Sequence, residues 1–219
     1  MKKILFSGES IKGIPENKTK EFSIHSPIQR GDLNSIKVNP LNPCIVLILD
    51  GVYGAYLSVT PTECRDFMER GGILVGASSM GALRASELWS VGMIGLGNVY
   101  AMLRLGYLRS DADVAVAYNN AFEEITISIV HVRAILAKLE EDNDIALVIS
   151  RQMLLTARQT IWFERYWDKV LEEWRKKFEL SAEITVKADA LYRDPFYHPK
   201  KKDALTSINT IIAKRWPQN

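Results

Sequence analysis

Cysteine is scarce in this chain: Cys44 and Cys64 are the only two in 219 residues. They form no disulfide framework and no metal-type spacing, which excludes stapled extracellular scaffolds and zinc modules. Histidine is nearly as scarce, at His25, His131 and His198. None lies beside a candidate nucleophile, so the sequence does not support a Ser-His-Asp triad. No apolar run approaches the roughly 18 residues of a membrane span. The apolar stretch in the opening MKKILFSGES is far too short for a signal peptide. A surplus of one charge is missing too, since Lys and Arg number 28 against 26 Asp and Glu, for a net +2. That balance gives no reason to expect nucleic acid as the main partner. Internal repeats and low-complexity linkers are also lacking. We therefore expect a soluble, cytoplasmic protein with neither membrane nor nucleic acid as partner.

What is present suits one substantial core, with 47% hydrophobic and 25% charged residues. Residues 2–7 (KKILFS) read as a short buried strand ended by Gly8. A polar stretch follows that reads as loop, with a short strand at EFSIH (21–25). CIVLILD (44–50) is a continuous Ile, Val and Leu run with Cys44 as a core residue. Its length and composition suit a strand buried on both faces, which favours a parallel sheet. TPTECRDFMERGG (60–72) predicts a helix: Thr60 as N-cap, Pro61 at the first position, Glu63 closing a capping box, and Gly71-Gly72 as the stop. ILVG (73–76) is the next strand and SMGALRASELW (79–89) the next helix. This order predicts a right-handed parallel unit over 44–89.

Farther on, 96–106 fits a helix closed by Gly106, and DADVAVAYN (111–119) alternates as a strand does. Residues 125–141, 144–160, 162–178 and 203–215 carry apolar side chains at helical spacing. In the third of these, Phe163, Tyr166, Trp167, Val170, Leu171 and Trp174 form a stripe suited to a core or a partner surface. HPKKKD (198–203) reads as a solvated helix start. The expected fold is α/β. A small open, mainly parallel sheet with helices fills residues 1–122, and a helical part, 123–219, packs on it as one unit.

Ligands of open parallel sheets sit outside the carboxyl ends of the strands. Three such ends carry suggestive residues: SGESIK (7–12), DGVYG (50–54) and GASSMG (76–81). If their strands are neighbours, the loops share one rim, and the N–H groups opening helix 79–89 would face it with partial positive charge. The serine turn then has three readings. Ser78 or Ser79 caps the helix between permissive Gly76 and Gly81. Alternatively the turn cradles an anion, though the Walker spacing is absent. Or it presents a nucleophile, as a G-x-S-x-G elbow one residue out of register. A nucleophilic serine needs a base, and Lys12 is the lysine nearest in sequence to a rim loop. Arg84 suits holding an anion or pairing with Glu87 at i,i+3. Asp50, at the end of a buried strand and beside Gly51, must accept backbone N–H bonds or act in the site.

LILDGVYG (47–54), followed by GASSMGALRASELWSVGMIGLGNVYAMLRLGYLRSDADVAV (76–116), resembles the TfuA family of accessory proteins. SPIQRGDL (26–33) is similar to that family's Gly-Asp stretch, and IVHVRAIL (129–136) to its Val-x-x-Arg-Ala helix. The resemblance covers roughly residues 4–140. It implies work with a YcaO enzyme in making peptide backbone thioamides, for which YcaO activates an amide oxygen with ATP. It further implies hydrolysis of the thiocarboxylated C-terminus of a small ThiS-like sulfur carrier through a serine–lysine pair, with help to YcaO in holding its peptide or protein substrate. Carried onto this chain, Ser79 or Ser78 is the nucleophile and Lys12 a candidate base. Asp50, Gly51, Gly76, Gly81 and Arg84 are then the binding and positioning residues. Neither metal nor cofactor is expected. Where the family has a His-Lys-Glu triplet before the serine strand, this chain reads Pro61-Thr62-Glu63, without a lysine. Two rivals stand beside this reading: a non-catalytic adaptor joining YcaO, carrier and peptide, and an anion- or nucleotide-binding domain.

Overall fold

The computed structural model describes residues 1–39, 44–54, 57–214 and 216. They divide into two compact units, one formed by residues 1–108 with 200–219 and the other by 109–199. The sequence reading drew its boundary at 122/123 instead and assigned the last helix to the second part.

In the first unit, strands β1 (Lys3–Phe6), β2 (Ser23–His25), β3 (Ile45–Ile48), β4 (Ile73–Gly76) and β5 (Ile94–Gly95) make one sheet. Their order is β2-β1-β3-β4-β5, and every pairing is parallel. The α/β fold read from the sequence is therefore the fold observed. β3 is central and wholly buried, which is why its sequence runs apolar without alternation. The short helices α1 (Glu16–Thr19) and α2 (Asp32–Ser35) lie in the polar stretch between β1 and β3. Helix α3 (Pro61–Glu69) joins β3 to β4, and α4 (Met80–Leu88) follows β4 directly. Helix α5 (Gly97–Arg104) follows β5.

The cap of α3 forms as read, with the Thr60 side chain accepting the Glu63 N–H at 3.1 Å. The reciprocal half of the capping box does not form. The buried Glu63 carboxylate instead accepts the N–H groups of Gly31 and Leu33, each at 2.9 Å, and fixes the start of α2.

Helices α6 (Ile129–Glu141), α7 (Leu147–Gln159), α8 (Trp167–Lys177) and α9 (Ala182–Arg193) build the second unit. Trp167, Val170 and Trp174 of the aromatic stripe enter its core, while Phe163 and Tyr166 stay partly exposed. Two expectations are corrected here. Residues 111–119 form no strand: Asp111–Asp113 is a 3-10 turn, and Tyr118 makes only an isolated bridge to Glu124. Val114, Ala115 and Val116 are buried one after another, so their alternation is compositional and has no solvent face behind it. The helix α9 was not anticipated, because its apolar residues are interrupted by Lys187 and Asp189.

The last helix, α10 (Pro199–Ala213), sends Ala204, Ile208 and Ile211 into the core of the first unit. They meet Leu5, Ile45, Leu47, Leu49 and Val75, the residues on one face of the sheet. The Lys-rich run at its start is not solvated as read: Lys200 is 0% and Asp203 3% exposed. Asp203 accepts the N–H groups of Asn98 and Val99, at 2.9 and 2.7 Å, and so caps α5 from another helix. No helix among the described residues is long and apolar enough to cross a membrane.

Two predictions follow from the packing. A Cβ on Gly81 would lie 1.8 Å from the Ile48 carbonyl oxygen, a backbone atom that has no rotamer to escape by. Gly81→Ala should cost about 3 kcal/mol or more and lower the melting temperature by roughly 6–12 °C, read by calorimetry. Cys64 is fully buried, and burial pushes its thiol up to about 12. A raised folded-state value means that the neutral thiol stabilises the fold fully below the unfolded value of about 8.5. That contribution is lost as pH rises through the folded value. The stability gap between wild type and Cys64→Ala, measured by urea denaturation, should therefore shrink as pH rises from about 8.5.

Candidate active site

The carboxyl ends of β1, β3 and β4 are neighbours, so their loops share one rim as the sequence reading required. The strand order places that rim at the β1/β3 junction, where a sheet of this order reverses its winding and where ligands of such sheets bind.

Asp50 is its buried hub. Its Oδ2 accepts the Ser7 hydroxyl at 3.0 Å and the N–H groups of Gly8 and Ser10 at 2.8 and 3.1 Å. Its Oδ1 accepts the Ser10 hydroxyl at 2.6 Å. A fully buried carboxylate is tolerable only with such a donor set. The loop after β1 is thus wrapped around the side chain that ends β3.

From Ser10 the hydrogen bonds continue. Ser10 Oγ lies 2.7 Å from Ser78 Oγ, and the Ser78 hydroxyl donates to the main-chain carbonyl of Lys200 at 3.1 Å. Ser79 Oγ has a different neighbour, the Tyr53 hydroxyl, at 3.1 Å. Ser78 and Ser79 have no exposed surface.

The helix-cap reading of the serine turn is overturned. Ser79 occupies the N-cap position of α4, but its side chain makes no capping bond. Ser78 holds φ at +69°, a left-handed conformation that is strained for a residue with a Cβ. The expectation that the opening N–H groups of α4 face the rim is corrected in part. Those of Ser79 and Gly81 donate to the Leu49 carbonyl, at 3.1 and 3.3 Å. The turn's other donors are the N–H groups of Ser78 and Met80. Glycine at 76 and 81 reflects contact distance: a Cβ on Gly76 would lie 2.0 Å from the Gly81 carbonyl oxygen. Gly51 is similarly enclosed, since its Cβ would meet Met80 at 2.7 Å.

Arg84 takes the i,i+3 arrangement, with one guanidinium nitrogen 2.6 Å from Glu87 and Nε donating to the Val59 carbonyl at 2.9 Å. Lys12 has a side chain 58% exposed, with its amine 3.8 Å from Glu9 Oε2. The other Glu9 oxygen accepts Lys201 Nζ at 2.8 Å, tying the start of α10 to the loop after β1. Among the described residues Lys200 is the lysine with a buried side chain, and its main chain adjoins the serine turn.

Sequence reasoning missed Lys200, Ser10 and Tyr53 as neighbours of the serine turn. A signal for Lys200 was available. Residues 200, 204, 207, 208 and 211 fall at steps of three and four and share the buried face of α10. No cluster of His, Cys, Asp and Glu among the described residues is arranged to hold a metal ion.

A family model described as "TfuA-like protein" matches residues 50–166. That segment carries Asp50, Tyr53, Ser78 and Ser79, whereas Ser7, Ser10 and Lys200 lie outside it. No curated protein matches the chain.

The hub arrangement predicts a large stability loss on removing the carboxylate, because four donors lose their acceptor together. Asp50→Ala should cost about 3 kcal/mol or more, measured as a lower urea midpoint with an unchanged slope.

Proposed function

The chain belongs to the TfuA-like family, whose members are accessory proteins associated with YcaO-dependent thioamidation, and we propose that it acts there as a serine hydrolase that frees sulfide from a carrier. The substrate is the thiocarboxylated C-terminus of a small ThiS-like sulfur carrier, and the sulfide serves a YcaO enzyme acting on a peptide or protein. The same protein helps YcaO to hold that substrate.

In this reading Ser79 is the nucleophile and Lys200 the base. Ser79 Oγ forms a bond to the thiocarboxyl carbon while its proton passes to the Lys200 amine. The N–H of Met80, at the first position of α4, stabilises the charge that develops on the carbonyl oxygen. The C–S bond then breaks, and the ammonium returns the proton to sulfur, so hydrosulfide leaves. Water next attacks the serine ester, giving the carrier's carboxylate, a released proton and free Ser79. Lys12 remains the alternative base from sequence proximity, but Lys200 is favoured because it is the buried lysine.

One observation carries this proposal: a buried lysine abuts a serine turn at the winding reversal of a parallel sheet. It supplies a lysine where the Pro61-Thr62-Glu63 segment has none. The adaptor reading draws support from one fact, that both serine side chains are fully enclosed.

Sulfide release from a thiocarboxylated carrier separates the two. Ser79→Ala should abolish release, and Lys200→Met should slow it by roughly 10²–10⁴-fold, the usual worth of a general base. Release unchanged by both Ser78→Ala and Ser79→Ala, with YcaO binding intact, would establish the adaptor.

A further inference from the structure

The two adjacent serines have different surroundings, and those surroundings divide the work between them. Ser78 belongs to a closed chain running Asp50 Oδ1, Ser10 Oγ, Ser78 Oγ, Lys200 O, with successive separations of 2.6, 2.7 and 3.1 Å. The carboxylate and the carbonyl at its ends only accept. Two hydroxyl protons therefore fill two of the three separations at any one time, and both are engaged inside the chain. Ser79 lies outside it, against Tyr53.

The backbone of Ser78 points the same way. Its φ of +69° would be relaxed for glycine and is strained for serine. What serine adds over glycine at this position is its hydroxyl, and that hydroxyl reaches the first turn of α10. The same turn is held by Lys201 on Glu9 and by Asp203 on the N–H groups of Asn98 and Val99. Three separate ties thus converge on the turn that carries Lys200. Of these three, the tie from Ser78 is the one made by the residue preceding Ser79.

We infer that Ser78 is a positioning residue: with Ser10 and Asp50 it fixes the Lys200 main chain beside the serine turn, and so sets the lysine amine for work on Ser79. This rests on the hydrolase reading above. It predicts that Ser78 and Ser10 act as one unit and that neither becomes acylated.

The test uses the full-length chain with Ser78→Gly, Ser10→Ala, their double variant and Ser79→Ala. Glycine relieves the strain at position 78, so loss of function there cannot be assigned to a backbone that fails to fold, and circular dichroism checks this. Two readouts are taken across pH. One is sulfide release from the thiocarboxylated carrier; the other is the rate and location of labelling by a serine-reactive fluorophosphonate, mapped by mass spectrometry. Wild type should be labelled at Ser79. Ser78→Gly should keep that location while labelling and release slow by roughly 10–100-fold and their pH profiles move. Ser10→Ala should match it, and the double variant should be no slower than either single one.

A label on Ser78, or abolished release by Ser78→Gly with release kept by Ser79→Ala, overturns the inference and leaves the hydrolase reading intact. An unchanged rate and pH profile for Ser78→Gly also overturns it alone. A wild-type protein that neither releases sulfide nor takes the label overturns both.

Discussion

The close approach of α4 to the strand ends is the contact on which the rest depends. The main chain of Gly81 sits against the Ile48 carbonyl, and Gly76 sits against Gly81, at separations that admit no Cβ. The Leu49 carbonyl then accepts two N–H groups of the turn, which sews helix to sheet through the backbone alone. Such contact leaves the intervening residues little freedom. Ser78 is driven into left-handed space, and the two serine side chains emerge in different directions toward different partners.

A second constraint is electrostatic. Placing the Asp50 carboxylate at the end of the most buried strand carries a large desolvation cost unless donors surround it. The loop after β1 supplies them from two hydroxyls and two main-chain N–H groups. That loop has little apolar content of its own, so the carboxylate is what gives it a shape. The order of the rim is thereby coupled to one side chain, and the Ser10 hydroxyl extends that order to the serine turn.

Much of this was legible in the sequence where one physical signal dominated. The uninterrupted Ile, Val and Leu run of β3 could be little other than a central parallel strand. Thr60-Pro61 opened α3 by local chemistry. The glycine-bounded serine pair marked the strand-to-helix turn. Legibility failed where a residue answered to a distant partner. Glu63 was read as closing its own cap, yet its carboxylate serves Gly31 and Leu33. The run at 198–203 was read from its charge, but Lys200 and Asp203 lie on the face that α10 buries. Alternation in 111–119 suggested a strand that no neighbouring chain pairs with beyond one bridge. The approach of Lys200 was hidden because sequence proximity to the rim favoured Lys12, while the fold brings the main chain of Lys200 to the serine turn from the far end of the chain.

That return of α10 bears on how the molecule comes into being. The serine turn and its carboxylate hub are encoded in the first half of the chain, whereas the lysine arrives with the helix that starts at Pro199. A nascent chain on the ribosome therefore carries Ser78 and Ser79 long before Lys200 has been synthesised. Over that interval one face of the central strand lacks Ala204, Ile208 and Ile211, which later cover it. Burial of that face and completion of the contacts around the serine turn are thus brought about by the same late helix.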